Sequence, residues 1–217
     1  MAPAAAAPLI PAVTYPAGTA VAVAGAAALA APTAGPGTMQ TAAWSMPAGY
    51  AGPPLDPIPP AVPPAFPLNS PAEAAAAAAW AAGLPQRPPA YGTPEDQAYQ
   101  VRVAGAPERQ LTGVNGGAVW ADGFRPADGA VIDAKHVREQ GCSSRTLDRL
   151  TQGDWYTGMV QSTQDVDEFR RYQAAIDDPA GHARFLEVDT NDSSTVGYWQ
   201  YILAQAHVSR SDVRYVP

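Results

Sequence analysis

The sequence predicts an α+β domain, built on a mixed β-sheet flanked by helices, behind an Ala/Pro-rich segment of different character. Residues 1–94 contain 20 of the 24 prolines but only three charged side chains, whereas residues 95–217 contain 30 charged side chains. The second half also alternates turn signals with apolar stretches of helical and strand period. We therefore expect residues 1–90 to form short helices or no fixed structure, and residues 91–217 to form one domain of common size.

The N-terminal segment does not have the pattern of a signal peptide or of a membrane span. Its first residues lack a basic region, and residues 19–31 are apolar but shorter than the roughly 20 residues that a bilayer span needs. Residues 47–68 are rich in proline, which favours a stiff polyproline II spacer. We expect no stable transmembrane span here. A single cysteine excludes an internal disulfide framework.

A helix is predicted over residues 71–82, at the end of the Ala/Pro-rich segment. Ser70 suits its N-cap, Pro71 its first position and Glu73 the capping box. Gly83 suits its end, and Trp80 is its one large side chain. Two interpretations stay open at this point, a helical spacer or a docking helix with Trp80 as its anchor.

The first half of the domain is predicted to contain one helix followed by three strands. Thr93 and the proline after it suit the start of a helix, and Gly105 suits its end. The dipeptide Asn115-Gly116 is a strong hairpin signal, and the Arg-Pro-Ala-Asp-Gly run after the next strand has turn chemistry. The predicted elements are a helix over 93–104 and strands over 109–114, 118–124 and 130–137.

The second half of the domain is predicted to add two helices and two strands. Phe169 and Ile176 share one face of the first helix, and Ser162 and Asp165 are candidates for its cap. The predicted elements are a helix over 162–178, a strand over 184–189, a helix over 193–208 and a short strand over 213–216. The full order is α-β-β-β-α-β-α-β, which is typical of a mixed sheet flanked by helices.

Two aspartates on neighbouring predicted strands form a candidate metal site. If the turn pairs Arg125 with Ala130, Asp122 lies opposite Asp133, and cross-strand Cβ atoms are about 5 Å apart. Two carboxylates so close repel each other unless a cation lies between them or one is protonated. Mg²⁺ favours one or two carboxylates together with water and substrate phosphate.

Lys135 is the second indication of chemistry on this strand. It is the only lysine of the chain, since the other 12 basic residues are arginine. Because side chains alternate along a strand, Lys135 and Asp133 project from the same face. A retained lysine suggests a compact ammonium group that a guanidinium cannot replace. The alternative is that one lysine persists by chance on a solvated strand.

The order and spacing of these residues resembles the PD-(D/E)xK nuclease superfamily. More closely, it is similar to the restriction-endonuclease-fold toxin domains of bacterial polymorphic toxins. The matching motifs are Tyr99-Gln100, Gly105, Asp122-Gly123-Phe124 and Asp133-Ala134-Lys135. The resemblance covers about residues 93–217 and none of the preceding segment, and it departs from the superfamily motif at Ala121, where that motif has proline. It implies a restriction-endonuclease-like sheet with an α-β-β-β-α-β core.

The resemblance implies metal-dependent hydrolysis of phosphodiester bonds. Asp122, Asp133 and the backbone carbonyl of Ala134 would hold Mg²⁺ or Mn²⁺. On the first helix, Gln100 would position the water or a phosphate oxygen. Glu95, a turn earlier, is a possible additional member, and which of the two reaches the metal stays open.

The same resemblance assigns a role to basic side chains. Lys135 would orient the attacking hydroxide and offset the developing negative charge. Arg138, Arg145 and Arg149 could follow a phosphate backbone, although a solvated surface is the simpler interpretation of that run. The net acidic charge argues against nonspecific coating of nucleic acid.

By resemblance to secreted interbacterial toxins, we expect an antibacterial effector that cleaves DNA in the cytoplasm of a target bacterium. Delivery would use a type VI or other specialised machine rather than a signal peptide. Residues 1–90 would be the loading and delivery segment, recognised by a secretion chaperone or a spike-tip component. The producing cell would need a cognate immunity protein. RNA remains possible as the substrate.

Two other classes of function stay open from the residues alone. A cysteine-dependent toxin, a protease or deamidase, would use Cys142 with one of His136, His182 or His207. A non-enzymatic adaptor would bind partners through its Pro-rich half and would tolerate changes of Asp122, Asp133 and Lys135. The cysteine-dependent toxin predicts that Cys142→Ser abolishes activity while EDTA has no effect, and the adaptor predicts no turnover.

Overall fold

The computed structural model describes residues 66–217 of the chain. The expectations for residues 19–31, and for all but the end of the proline-rich stretch at 47–68, lie outside these described residues. The helices are α1 (Pro71–Ala82), α2 (Pro94–Ala104), α3 (Leu147–Thr151), α4 (Ser162–Ile176) and α5 (Val196–Gln205). The strands are β1 (Gln86–Arg87), β2 (Glu108–Thr112), β3 (Ala118–Ala121), β4 (Gly123–Arg125), β5 (Ala130–Lys135), β6 (Phe185–Thr190) and β7 (Ser211–Tyr215).

The strands form two sheets, and the larger one contains both antiparallel and parallel pairs. The prediction of a mixed sheet flanked by helices is thereby confirmed. The first sheet has the antiparallel order β1-β2-β3. The second has the order β4-β5-β6-β7, in which β4 and β5 are antiparallel and the others are parallel. The parallel pairs follow from α4 and α5, which cross over between β5, β6 and β7.

The predicted strand over residues 118–124 is divided in two at Asp122. β3 pairs with β2, whereas β4 pairs with β5 in the predicted register, with Arg125 opposite Ala130. The β4–β5 ladder ends where Gly123 faces Ile132. Asp122 therefore lies at the junction of the two sheets rather than inside either ladder.

Gly123 fixes the angle at this junction. Its backbone lies against the end of α2, where a Cβ atom would overlap the carbonyl oxygen of Ala104. Only a residue without a side chain permits that approach. The close packing brings the face of α2 next to Asp122, which explains why an aspartate is followed by glycine here.

Helix α1 belongs to the folded domain, although it was expected to precede it. Its predicted cap is confirmed, since the Ser70 hydroxyl accepts from Glu73 N and the Glu73 carboxylate accepts from Ser70 N. The Trp80 ring packs at 5.1 Å from the Phe124 ring and 5.7 Å from the His182 ring. Trp80 thus anchors α1 to this chain's own core.

The folded body therefore begins before the expected boundary near residue 90. β1 pairs with β2, Asn69 N donates to the carbonyl of Ala127 at 2.7 Å, and the Phe66 ring lies 4.3 Å from the Phe185 ring. Composition changes near residue 90, but the packing continues across it, because Ala77 and Ala81 of α1 are buried in the same core as residues of the later elements.

Two apolar layers pack on the second sheet, one on each face of β5. Phe169 of α4 and Trp199 of α5 pack with Val131 on one face. Tyr99 of α2 packs with Ile132 on the other face. Asp133 and Lys135 project on the Val131 side because side chains alternate along β5.

The stretch between β5 and α4 contains structure that the sequence pattern did not predict. It holds α3 and a π-helical turn over Tyr156–Gln161 that runs directly into α4. The expected cap at Ser162 or Asp165 is wrong, because the helix continues through this point and the Ser162 hydroxyl donates to the Gly158 carbonyl. Within residues 66–217, no helix is long and apolar enough to cross a membrane.

We expect Gly123→Ala to destabilise the protein by about 1–3 kcal/mol, since the new methyl group must displace the backbone at Ala104. The free energy of unfolding from urea denaturation measures this effect. Gly158→Ala is the matched control, because a Cβ atom there meets nothing within 4 Å. Equal stability of the two variants would contradict the packing described for Gly123.

Candidate functional site

A cleft of about 940 Å³ lies where the first sheet, α2, α4 and the end of β5 meet. It is lined by side chains from every one of these elements, and most of them are polar or charged. Asp122 reaches it from the junction of the sheets, and Asp133 and Lys135 reach it from β5. The structure thus brings together three residues that the sequence analysis selected.

Asp122 is held beside β5 by a backbone hydrogen bond. Its Oδ2 accepts from Ala134 N at 2.7 Å, so the carboxylate is fixed next to the residue that follows Asp133. The two aspartates are close because the chain bends at Asp122, not because they pair across a regular ladder. The Ala134 residue itself also lines the cleft.

The environment raises the pKa of both carboxyl groups. Burial raises the pKa of Asp122 well above its usual range, and the neighbouring Asp133 charge raises it further. Burial also raises the pKa of Asp133, to about 7, against the opposing effect of Lys135. A buried pair of like charges favours uptake of a proton or a cation between them.

Lys135 is the compensating cation of this pair. Its Nζ lies 2.8 Å from Asp133 Oδ2 and 3.2 Å from Glu168 Oε2. Burial lowers the pKa of Lys135, but the Asp133 and Glu168 carboxylates raise it more, so the ammonium group stays charged. The ammonium also lies 5.4 Å from the centre of the Trp199 ring, within cation–π range.

Gln100 lies in the cleft and contacts a carboxylate that was not predicted. Its Nε2 donates to Glu108 Oε1 at 3.0 Å, and Arg87 forms an ion pair with the other Glu108 oxygen. Glu108 is buried at the start of β2, and its charge contributes to the raised pKa of Asp122. The hydrogen bond to Glu108 therefore fixes the Gln100 amide in the cleft.

Glu95, the other first-helix candidate, is exposed and does not line the cleft. The next residue, Asp96, does so, because Asp96 and Gln100 are four residues apart on one face of α2. Asp96 Oδ1 contacts His136 Nδ1 at 2.8 Å, and its Oδ2 accepts from Arg138 at 2.6 Å. The hydrogen bond from Arg138 lowers the pKa of Asp96 below its usual range.

The three predicted phosphate-contacting arginines are placed differently. Arg138 and Arg145 line the cleft, whereas Arg149 is exposed on α3 outside it. Arg145 is tied to Asp165, with Nε 2.8 Å from Oδ2. A further arginine, Arg171 on α4, lines the cleft and makes no ion pair with any other residue in the range 66–217.

Sequence reasoning missed the part of the site that long-range packing builds. Glu108, Glu168 and Arg171 come from elements whose cleft-facing side depends on how they pack. Trp120 had a usable signal, since it precedes Asp122 by two residues and strand alternation puts both on one face. Its ring lies 4.2 Å beneath the guanidinium carbon of Arg87.

The donor set can be tested for its fit to a metal ion. Within the described part of the chain, no three His, Cys, Asp or Glu side chains form a ready-made metal site. Two crowded carboxylates are nevertheless the number that Mg²⁺ commonly takes from a protein, with water and substrate phosphate completing its coordination. Asp122 and Asp133 therefore fit a magnesium-type ion and not a closed structural site such as that of zinc.

Cys142 does not have the surroundings of a catalytic thiol. It is an exposed free cysteine, and a hydrogen bond to Glu139 raises the pKa of its thiol. A reactive cysteine needs the opposite shift and a nearby histidine. His136, which is the nearest candidate in sequence, is instead engaged with Asp96, and His182 packs on Trp80.

Comparison with known protein families shows which family the chain belongs to. A family model described as "restriction endonuclease fold toxin 2" matches residues 95–209, which is more than half of the chain. The matched range runs from the first turn of α2 to the loop after α5. No curated protein and no solved structure matches the chain.

We expect Asp122→Asn to stabilise the metal-free protein at pH 8. Burial and Asp133 raise the pKa of Asp122 in the folded state only, so the folded state binds more protons and wild-type stability falls as the pH rises above about 4. Asparagine removes that loss and can still accept from Ala134 N. The expected result is a higher free energy of unfolding for Asp122→Asn than for the wild type, from urea denaturation with EDTA.

The gain should shrink towards zero at pH 4, where Asp122 of the wild type is protonated in the folded state. Asp148→Asn, an exposed change on α3, is the matched control and should have little effect at either pH. A loss of stability in Asp122→Asn at pH 8 would show that the two carboxylates are not in conflict.

Proposed function

Because the chain belongs to the restriction endonuclease fold toxin 2 family, we propose that it is a nuclease toxin that hydrolyses phosphodiester bonds with a divalent metal ion. One observation carries the proposal. Asp122, Asp133 and Lys135 meet in a single cleft, where two crowded carboxylates have raised pKa values and one lysine compensates them. DNA is the preferred substrate in this proposal, and RNA is the alternative.

The metal-binding residues in the proposal are Asp122 and Asp133, with the backbone carbonyl of Ala134 as a further oxygen ligand. Mg²⁺ or Mn²⁺ bound there would lower the pKa of a water molecule and stabilise charge that develops on the phosphate. The carboxylate crowding supports this assignment, because a cation relieves the repulsion that burial intensifies.

Lys135 and Gln100 are the remaining catalytic candidates. The ammonium group of Lys135 can donate to the attacking water or to a phosphate oxygen, and it is held in place by Asp133 and Glu168. Gln100 presents an amide whose nitrogen is engaged by Glu108, which leaves its oxygen to orient a water molecule. Arg138 and Arg145 are candidates for contacts to the substrate.

The biological setting is also part of the proposal. A family of toxins with a nuclease fold is consistent with an antibacterial effector, secreted by a type VI or other specialised machine and active in the cytoplasm of the target cell. A cognate immunity protein would protect the producing cell. Residues 1–90 would serve loading and delivery, together with a chaperone or a spike-tip component.

The two rival functions have weaker support. Cys142 is exposed and has a raised thiol pKa, which disfavours a cysteine-dependent toxin. An adaptor would not need the pKa shifts that converge on Asp122 and Asp133, since such shifts are typical of functional sites.

We expect the purified 217-residue chain to cleave DNA in Mg²⁺ but not in EDTA, and Lys135→Ala to lower the rate about 100-fold or more. The assay uses supercoiled plasmid and single-stranded circular DNA, resolved by electrophoresis. Asp133→Ala should lose activity as well, and both variants should lose toxicity when expressed in bacteria.

Arg210→Ala is the matched control for Lys135→Ala, because Arg210 is exposed and lies outside the cleft. Circular dichroism establishes that each variant is folded. If the wild type cleaves no DNA, RNA is tested with the same proteins. Cleavage by Lys135→Ala and Asp133→Ala at the wild-type rate would show that the site assignment is wrong.

We expect Mg²⁺ to stabilise the wild type against urea in the absence of any substrate. An ion that binds only the folded state adds about 2.7 kcal/mol when present at 100 times its Kd. Asp133→Asn should lose this increment, whereas Asp148→Asn should keep it. An equal response to Mg²⁺ in wild type and Asp133→Asn would place the metal elsewhere.

A further inference from the structure

One wall of the cleft is formed by the first sheet, and it includes the aromatic ring of Trp120. Trp120 of β3 precedes Asp122 by two residues, and both line the cleft. Trp120 therefore lies in the same cleft as Asp122, the residue proposed to hold the metal ion, and only one residue separates the two in sequence.

Arg87 completes this surface. Its guanidinium carbon lies 4.2 Å from the centre of the Trp120 ring, and its ion pair with the buried Glu108 fixes the stack. The Arg87 side chain is 40% exposed, so the pair is open to the cleft. Aromatic rings and guanidinium planes are the side-chain groups on which unpaired bases stack.

The charges of the cleft argue against a duplex as the bound form. Arg87 is paired with Glu108, Arg138 with Asp96 and Arg145 with Asp165. Lys135 is shared by Asp133 and Glu168, which leaves Arg171 as the cleft cation without an ion pair among residues 66–217. A protein that follows a duplex backbone uses a row of uncompensated Lys and Arg contacts.

A second aromatic side chain stands at the rim. Tyr91, in the connection between β1 and α2, lines the cleft and is 86% exposed. Stacking on successive aromatic groups binds a single strand with little dependence on sequence. The cleft therefore provides aromatic groups for stacking, which suit a single strand. Among the described residues, it does not provide the row of unpaired positive charges that a duplex backbone would need.

From this arrangement we propose that the substrate of the site is an unpaired nucleic-acid strand, and that a base beside the cleaved phosphate stacks on the Trp120–Arg87 pair. The inference rests on the proposed nuclease function and adds the substrate class to it. Single-stranded DNA, single-stranded RNA and locally unpaired duplex share the chemistry that the stack recognises.

The test is equilibrium binding by fluorescence anisotropy, with the full 217-residue chain and Ca²⁺ as a divalent ion in place of Mg²⁺. The probes are a labelled 20-nucleotide DNA strand, the same strand in a duplex, and the RNA of the same sequence. A single strand, DNA or RNA, should bind with the lowest Kd, and the DNA and RNA arms distinguish the two sources.

Variants of Trp120 isolate the stack. Trp120→Leu should raise the Kd for the single strand about tenfold or more, and Trp120→Phe should restore most of the affinity because it keeps a π face. Trp155→Leu is the matched control, since Trp155 is 70% exposed and lies outside the cleft. Urea denaturation establishes that the variants are folded.

Two results would overturn the proposal. One is a duplex that binds as tightly as the single strand, and the other is a Trp120→Leu variant that binds like Trp155→Leu. If Mg²⁺-dependent and Lys135-dependent cleavage of duplex DNA persists in either case, the nuclease function stands and only the substrate class falls. If no nucleic acid is bound or cleaved, both proposals fail.

Discussion

The repulsion between Asp122 and Asp133 is the constraint around which the site is arranged. Burial intensifies this repulsion. A hydrogen bond from Ala134 N to Asp122 and an ion pair between Lys135 and Asp133 partly offset it. Lys135 also contacts Glu168, so a third carboxylate lies in the same cleft. Uptake of a proton or a cation would relieve this repulsion, and a divalent ion bound as proposed would do so without protonating either carboxylate.

The fold around this pair was predictable because its signals are local. A turn between Arg125 and Ala130 sets the register, and strand alternation then puts Asp133 and Lys135 on one face. The position of Asp122 was predicted from the same ladder, yet the ladder stops at Gly123. Asp122 reaches β5 through the bend that Gly123 allows against α2, which is a tertiary effect that register alone does not contain.

What the sequence could not provide is the direction in which distant elements face the cleft. Glu168 lies beside the apolar stripe of α4, and nothing local distinguishes it from a solvated glutamate at the edge of such a stripe. Asp96 rather than Glu95 reaches the cleft because α2 is rotated by its packing of Tyr99 onto β5. The Arg87–Glu108 pair requires β1, a strand of two residues that no periodicity can indicate.

The ion pairs of the cleft restrict which ligands the site can bind. An anionic strand that enters must compete with carboxylates already paired to the arginines, and removing one partner of a buried pair leaves an uncompensated charge. A divalent cation bound at Asp122 and Asp133, as proposed, would neutralise these carboxylates and offer the phosphate a positive partner. The proposed stacking on Trp120 would add attraction that does not depend on charge. An acidic cleft can therefore bind nucleic acid, provided that the metal and the π surface supply what the paired arginines do not.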